Sequence, residues 1–537
     1  MPSEQPETSY SLSFFQKKEA WYFPFLLPIF ILTSLAYLIF AFGFAVDWRV
    51  WFIGFIFFAE VYRIFFSVIS LICAKTLAYP HFRPAQRHAT VDVLIPTLNE
   101  PRSVVGLTVE GAVKIRGVNK VFLLDDGARP EMEKLAEEFG AVYLARHSSQ
   151  HAKAGNMNFG LAHSKSDFII CLDADHVPQP NFIERTLGYF DDPMLAFVQT
   201  PQSFYNTDSI QHRPVKNYPL WNEQTMFYES IQPGKNAFNA AFFCGSSAIL
   251  RRAAVDSVGG FATGTATEDI HTSVRIHSKG WKTLFINERL AYGLAPDDLK
   301  EYHKQRVRWG AGSLGLLFRT KDSPAVSPNL TLMQRLAYIN STLAFLQGHF
   351  KLFYYLLPIY IIFSPVSFLK SSFIVYLSFY LPYLAMSFWI TKVYSRNTYH
   401  PLYTEQYNIA NIFSNIEALK GIYKVQKKFA VAIKIKRVKE NSFVFFALFG
   451  LALMMGVAEA YAIGTFIVVD HLNFHRLVAS TLFVGLFWNT MNFAIFLTFL
   501  KFLNDYNRTD KDEENKYKVN QLMGSSSPFA PVPVQIN

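Results

Sequence analysis

The run FIICLDADHVPQPNF sets two carboxylates, Asp173 and Asp175, two positions apart directly after an apolar stretch. Alternate residues of an extended segment point the same way, so the pair shares one side of the chain. Two hard oxygen donors so arranged suit Mg²⁺ or Mn²⁺, which would bridge to the phosphates of a nucleotide and neutralise a departing diphosphate. His176 follows at once and is a third candidate ligand or a phosphate contact. Acidic pairs at strand ends are also common as solvated loop residues, so the pair takes its meaning from what accompanies it.

Five further segments accompany it. PTLNE (Pro96, Thr97 and Glu100 among its members) and LLDDG, which holds Asp125, offer groups that can pair with the edge of a base, or serve only as turn residues. HAKAGN places Lys153 ahead of the acidic pair, where it could meet phosphate, hold Asp125 in place, or be solvated. In ATED, Asp269 is a candidate general base that could take a proton from a hydroxyl as its oxygen attacks an anomeric carbon; the alternative is a helix N-cap set. In KQRVRWGAGS, Gln305, Arg308 and Trp309 share one helix face. Arg308 can fork onto diphosphate, and Trp309 can stack under a sugar ring or anchor at a membrane interface.

These groups need a frame. Short β-branched apolar runs at Val91 to Pro96, Val121 to Leu124, Val142 to Ala145 and Phe168 to Leu172 alternate with helical patterns, which predicts an α/β sheet, largely parallel. Several runs end in polar or acidic residues. Ligands of open α/β sheets bind beyond the carboxyl ends of the strands, so these residues are expected to converge on one crevice.

The frame is expected to sit in a membrane protein. Of 537 residues, 51% are hydrophobic and only 17% charged, and 53 Phe and 27 Tyr exclude a disordered chain. Six apolar runs are long enough to span: Trp21 to Val46, Val50 to Ala74, Leu336 to Phe363, Ser372 to Val393, Ser442 to Val469 and Leu477 to Phe502. The lysine-rich stretch from Lys420 to Lys439 marks one side as cytoplasmic. An even number of spans then puts both termini and the large insert on that side. The expected organisation is 1–74 (tail and two spans), 75–329 (cytoplasmic α/β domain), 330–503 (four spans, with an interface helix and loop at 394–441) and 504–537 (polar tail). The net charge of +10 clusters beside the spans, which favours basic cytoplasmic loops over nucleic acid. Three widely spaced cysteines make neither a disulfide framework nor a zinc site.

In order, DDG, DxD, TED and QxxRW resemble the pattern of processive family 2 glycosyltransferases, the bacterial cellulose synthase catalytic subunits above all. VQTPQSF, AFFCGSSAILRR, GGFATGTATED and HSKGWK extend the resemblance, which runs from about Val91 to Lys439. It implies a GT-A-like cytoplasmic domain inserted in an all-α transmembrane domain of about six helices, at the plasma (inner) membrane. It implies that Asp125 contacts the nucleotide, that Asp173, Asp175 and His176 surround Mg²⁺ (or Mn²⁺) and UDP, and that Asp269 is the base. Gln305, Arg308 and Trp309 would hold the diphosphate and acceptor sugar, with Phe242, Phe243, Cys244 and Gly245 beside the terminal glucose.

KKFAVAIK is similar to that family's gating-loop signature, with Phe429, Val431 and Lys434 in matching places and Ala432 where the family has threonine. The implied activity is inverting polymerisation of glucose from UDP-glucose into a β-glucan, secreted through the protein's own channel, with accessory secretion subunits as candidate partners. No PilZ domain follows Lys439, so no cyclic di-GMP binding in cis is expected. Mixed-linkage, β-1,3-glucan and chitin or hyaluronan synthases share the four signatures, and GAGSLGLL after Trp309 differs from the motif associated with cellulose makers, so linkage and donor stay open. A transporter with a nucleotide-binding module is the alternative of a different class.

Overall fold

The computed structural model of the protein describes residues 22–85, 89–206, 209–213, 215, 221–364, 367–424, 443–469 and 476–508. Ten strands occur among them: β1 (Val91–Thr97), β2 (Lys120–Asp125), β3 (Val142–Ala145), β4 (Phe168–Cys171), β5 (Val177–Pro178), β6 (Leu195–Gln199), β7 (Ser203–Phe204), β8 (Ala248–Arg251), β9 (Lys282–Phe285) and β10 (Ala291–Gly293). Seven form a sheet in the order β3-β2-β1-β4-β8-β6-β9, parallel except for β8, which runs against both neighbours. The other three form a small sheet, β5-β10-β7.

The central strands read as unbroken apolar runs because both their faces are covered. On β1, Val91, Val93 and Ile95 face the core that holds Val105 and Val109 of the Arg102–Val113 helix, while Leu94 faces the opposite core with Met157 and Leu161 of the Ala152–His163 helix. Each such side chain contributes about 1.5–3 kcal/mol of burial. The chain builds β2 and β3 on one side of β1 and then crosses to β4 on the other. That reversal opens a crevice at the carboxyl ends of β1 and β4.

Among the described residues, five helices are long and apolar enough to cross a membrane: Phe23–Ala45, Ile53–Lys75, Phe373–Tyr394, Phe443–Thr465 and Thr481–Tyr506. The expected span from Leu336 to Phe363 is interrupted. A helix over Leu332–Leu343 gives way to a 3-10 turn at Ala344–Leu346, and a new helix runs Gln347–Phe363, 17 residues long. Asn340, Ser341 and Thr342 lie just before the turn, and Tyr62 of the neighbouring span donates to the Leu343 carbonyl at 2.6 Å. Within the Ile53–Lys75 helix, Glu60 is buried and accepts from Arg63 and Tyr354, so this acid is partnered where the protein covers it.

Candidate active site

One cavity of about 860 Å³ opens beyond the carboxyl ends of β1 and β4. Pro96, Thr97 and Glu100 line it from the end of β1, Asp173, Asp175 and His176 from β4, and Lys153 from the start of the Ala152–His163 helix. Asp269, in the first turn of the Glu268–Ser278 helix, and Gln305, Arg308 and Trp309 of the Leu299–Arg319 helix complete it. Its far end reaches Ser70, Asn340 and Ser341 on the membrane-side helices.

Lys153 joins the acidic groups. Its Nζ donates to Asp173 Oδ1 at 2.6 Å and to the Gly245 carbonyl at 2.7 Å, and lies 3.6 Å from Glu268. Burial disfavours its charge, but Asp173 and Glu268 override that and hold the amine protonated. Burial likewise raises Asp173, yet Lys153 and then His176 outweigh it and its carboxyl ends below the usual range. Lys153 therefore does not hold Asp125, one of the roles its position allowed.

Asp175 and His176 are buried beside the half-exposed Asp173, with His176 Nδ1 3.0 Å from Asp175 Oδ1 and 3.9 Å from Asp173 Oδ2. Candidate ligand atoms of the three lie within 4.8 Å of one another. His176 Nε2 is buried without a hydrogen-bond partner among the described residues. Two carboxylates and an imidazole so gathered fit a hard divalent cation. The imidazole lies against Gly293, where a Cβ would be 2.5 Å from Cε1.

Asp269 accepts the Ile270 amide at 2.8 Å through Oδ1, and its Oδ2 faces Gly245. Desolvation in the cavity wall, with the Glu268 carboxylate next, pushes its carboxyl up to about 7. Thr267 stands at the helix N-cap without a side-chain capping bond, while Asp269 takes up a first-turn amide, so the N-cap alternative is met in part beside the cavity position.

Two expected residues point elsewhere. The Asp125 carboxylate is fully buried and saturated by the Gly127 and Arg129 amides, the Arg129 guanidinium and the Tyr143 hydroxyl; its neighbour Asp126, paired with Arg146, is the one that lines the cavity. Phe242, Cys244 and Gly245 line the cavity, whereas Phe243 is buried between Phe197 and Phe261 in the sheet core. Successive residues of an extended segment face opposite ways, so one of each adjacent pair had to turn inward. Phe429, Val431 and Lys434 lie outside the described residues.

Other lining residues carried no spacing signal. Arg306 pairs with Glu223, and its guanidinium lies 4.3 Å from the Trp309 ring centroid and 4.8 Å from that of Tyr302. One face of Trp309 is thereby occupied by a cation. Asn340 and Ser341 did have a signal, since they interrupt an apolar run.

Residues 88–312 match the family described as Glycosyltransferase like family 2, and residues 255–397 match the family described as Cellulose synthase. Residues 88–312 thus resemble a family 2 glycosyltransferase domain. The mixed sheet of this region agrees with the GT-A-like arrangement expected from the sequence. Similar proteins include cellulose synthase 1 catalytic subunit [UDP-forming] of Komagataeibacter xylinus, 40% identical over 329 residues (58% of this chain, 44% of that one). The cellulose synthase catalytic subunit [UDP-forming] of Komagataeibacter sucrofermentans is 33% identical over 431 residues (77% and 56%), and that of Pseudomonas fluorescens 37% over 303 (56% and 41%). The chain thus spans about half the length of these relatives. Among solved structures, a mannosyltransferase from Pyrobaculum calidifontis in complex with GDP-Man and Mn²⁺ aligns with a TM-score of 0.43 at 15% identity, covering 74% of this chain and 99% of that one.

Proposed function

We propose that the protein is a processive, inverting, UDP-forming β-glycosyltransferase that polymerises glucose from UDP-glucose into a β-glucan, β-1,4-linked, and passes it across the membrane through its own helices. The observation that carries this reading is the single cavity that joins the acidic cluster, Asp269 and Trp309 to Asn340 and Ser341 on the membrane side. A polar polymer needs a protein-lined path, because unsatisfied polar groups in hydrocarbon cost several kcal/mol.

In this reading Asp173, Asp175 and His176 hold a divalent cation, Mg²⁺ or Mn²⁺, which supplies charge neutralisation for the departing diphosphate. Arg308 adds a forked donor to the same phosphates. The free face of Trp309 and the Phe242 ring pack against the acceptor sugar and exclude water. Asp269 takes the proton from the acceptor hydroxyl as its oxygen bonds to the anomeric carbon and the bond from that carbon to the diphosphate oxygen breaks. One displacement inverts the α-configured donor to a β-linkage. Pro96, Thr97 and Glu100 flank the base, with Thr97 Oγ1 and the Leu98 amide both donating to Glu100.

The same reading divides the chain as its sequence suggests, with residues 75–329 and both termini cytoplasmic, in the plasma (inner) membrane, and gives the gating role to the segment holding Phe429, Val431 and Lys434. Partners are the UDP-sugar, the growing glucan, lipid and accessory secretion subunits, without nucleic acid or cyclic di-GMP.

The test is reconstitution in lipid with Mg²⁺ and radiolabelled UDP-glucose, followed by parallel digestion with linkage-specific glucanases. Release of all label by an endo-β-1,4-glucanase is expected. Release that needs a lichenase or a β-1,3-glucanase overturns the linkage, polymer from UDP-N-acetylglucosamine alone overturns the donor, and vesicle-bound UDP without transfer overturns the enzyme in favour of a transporter.

A further inference from the structure

Lys235 closes the short Gln232–Lys235 helix and is 0% exposed. Its Nζ donates to Ser341 Oγ at 2.8 Å and sits 4.3 Å from the centroid of the Phe242 ring, with Phe227 at 5.8 Å. No carboxylate is within ion-pair reach among the described residues, and burial draws the amine down to about 8. An ammonium buried without a counter-ion costs stability, and an apolar side chain of similar volume would fill the site at lower cost. Ser341 has a second partner, the Ala337 carbonyl at 3.0 Å, so it does not need Lys235 for its own satisfaction. Stability therefore does not account for the lysine. Both groups it touches line the cavity: Phe242 belongs to the glycosyltransferase domain, and Ser341 to the helix that precedes the break at Ala344–Leu346.

We propose that Lys235 is a positioning residue for elongation, its ammonium bracing the Phe242 ring against Ser341 so that the wall of the transfer site and the membrane-side helix keep one spacing as the polymer moves. The inference rests on the polymerase reading above. A cation over a desolvated aromatic face is held there by the ring quadrupole, which sets the ring's orientation without contact between the lysine and sugar. Loss of the brace leaves donor binding intact, since the acidic cluster is untouched, and loosens the Phe242 wall that packs on the acceptor. It disturbs the repeated advance of the product.

The experiment compares wild type, Lys235→Met and Ser341→Ala in lipid, reading four quantities: product length, donor KM, single-sugar transfer to a short oligosaccharide, and Tm. Lys235→Met is expected to shorten the mean product severalfold with donor KM unchanged, acceptor KM in single transfer raised, and Tm equal or higher. Ser341→Ala, which deletes one hydroxyl, is expected to shift length the same way by less. A Tm that falls together with a rising donor KM in both variants would mean an ordinary packing role and overturn the inference. Both variants elongating like the wild type overturns it and leaves the polymerase intact. A wild-type chain that makes no polymer overturns the polymerase and this inference with it.

Discussion

The Asp269 carboxylate lies in the space that a side chain on Gly245 would fill: a Cβ there would be 3.1 Å from Asp269 Oδ2 and 3.4 Å from Lys153 Nζ. Gly245 also holds φ +88°, a conformation that L side chains rarely adopt. Gly245→Ala is expected to lower kcat by at least about tenfold, the loss that follows from displacing a base by a fraction of an ångström, with UDP affinity retained. Paired kinetics and UDP isotherms check it, and an unchanged kcat would remove Asp269 from the reacting position.

Asp269→Asn keeps the shape of the site and removes the proton acceptor. Transfer is expected to drop by about 10²- to 10⁴-fold while UDP-glucose still binds. Single-turnover transfer in parallel with an isotherm separates the two. Full turnover in this variant would assign the proton to another group.

The raised Asp269 carboxyl sets a pH limb. The base must be ionised, so the rate is full above its titration and falls as pH drops through about 7. Glu268 contributes to that rise. Glu268→Gln is therefore expected to move the acidic limb of the kcat profile to lower pH. A limb that stays in place shows that some other group titrates there.

Gly293→Ala would press a methyl group into the His176 ring, whose atoms would lie 2.5–2.7 Å from the new carbon. Displacing this imidazole is expected to weaken Mn²⁺ binding by roughly 10- to 100-fold, the range seen when groups supporting a ligand are disturbed. Electron paramagnetic resonance titration of Mn²⁺ reads this without turnover, and unchanged affinity would show that His176 is not a ligand.

Phe243 and Phe242 are expected to separate stability from activity. Phe243→Ala opens the sheet core beside Phe197 and Phe261 and should cost about 3–5 kcal/mol, visible as a lower Tm. Phe242→Ala should act on acceptor use, read as a changed acceptor KM.

The strands around the crevice were legible because burial on both faces writes itself as a continuous apolar run: β3 has the expected bounds, and β1, β2 and β4 differ from theirs by a residue at one end or both. β8 was not, because an antiparallel strand of four residues slipped between β4 and β6 leaves the same apolar pattern as a parallel one. The DxD, TED and QxxRW residues meet in one cavity as their order suggested. Sequence could name Asp125 and Phe243 as members of motifs but not assign their direction; adjacent residues must diverge, and only the packing of Tyr143 and Arg129 on one, and of Phe197 on the other, chooses. Likewise the pairing of Arg306 with Glu223 joins residues 83 positions apart in a loop and a helix, with no periodicity to announce it.

The interruption at Ala344–Leu346 also sets a depth. A helix of 17 residues measures about 25 Å, a few ångströms less than a hydrocarbon core of about 30 Å. The end of the cavity at Asn340 and Ser341 therefore lies one 17-residue helix, shorter than a full crossing, from Phe363.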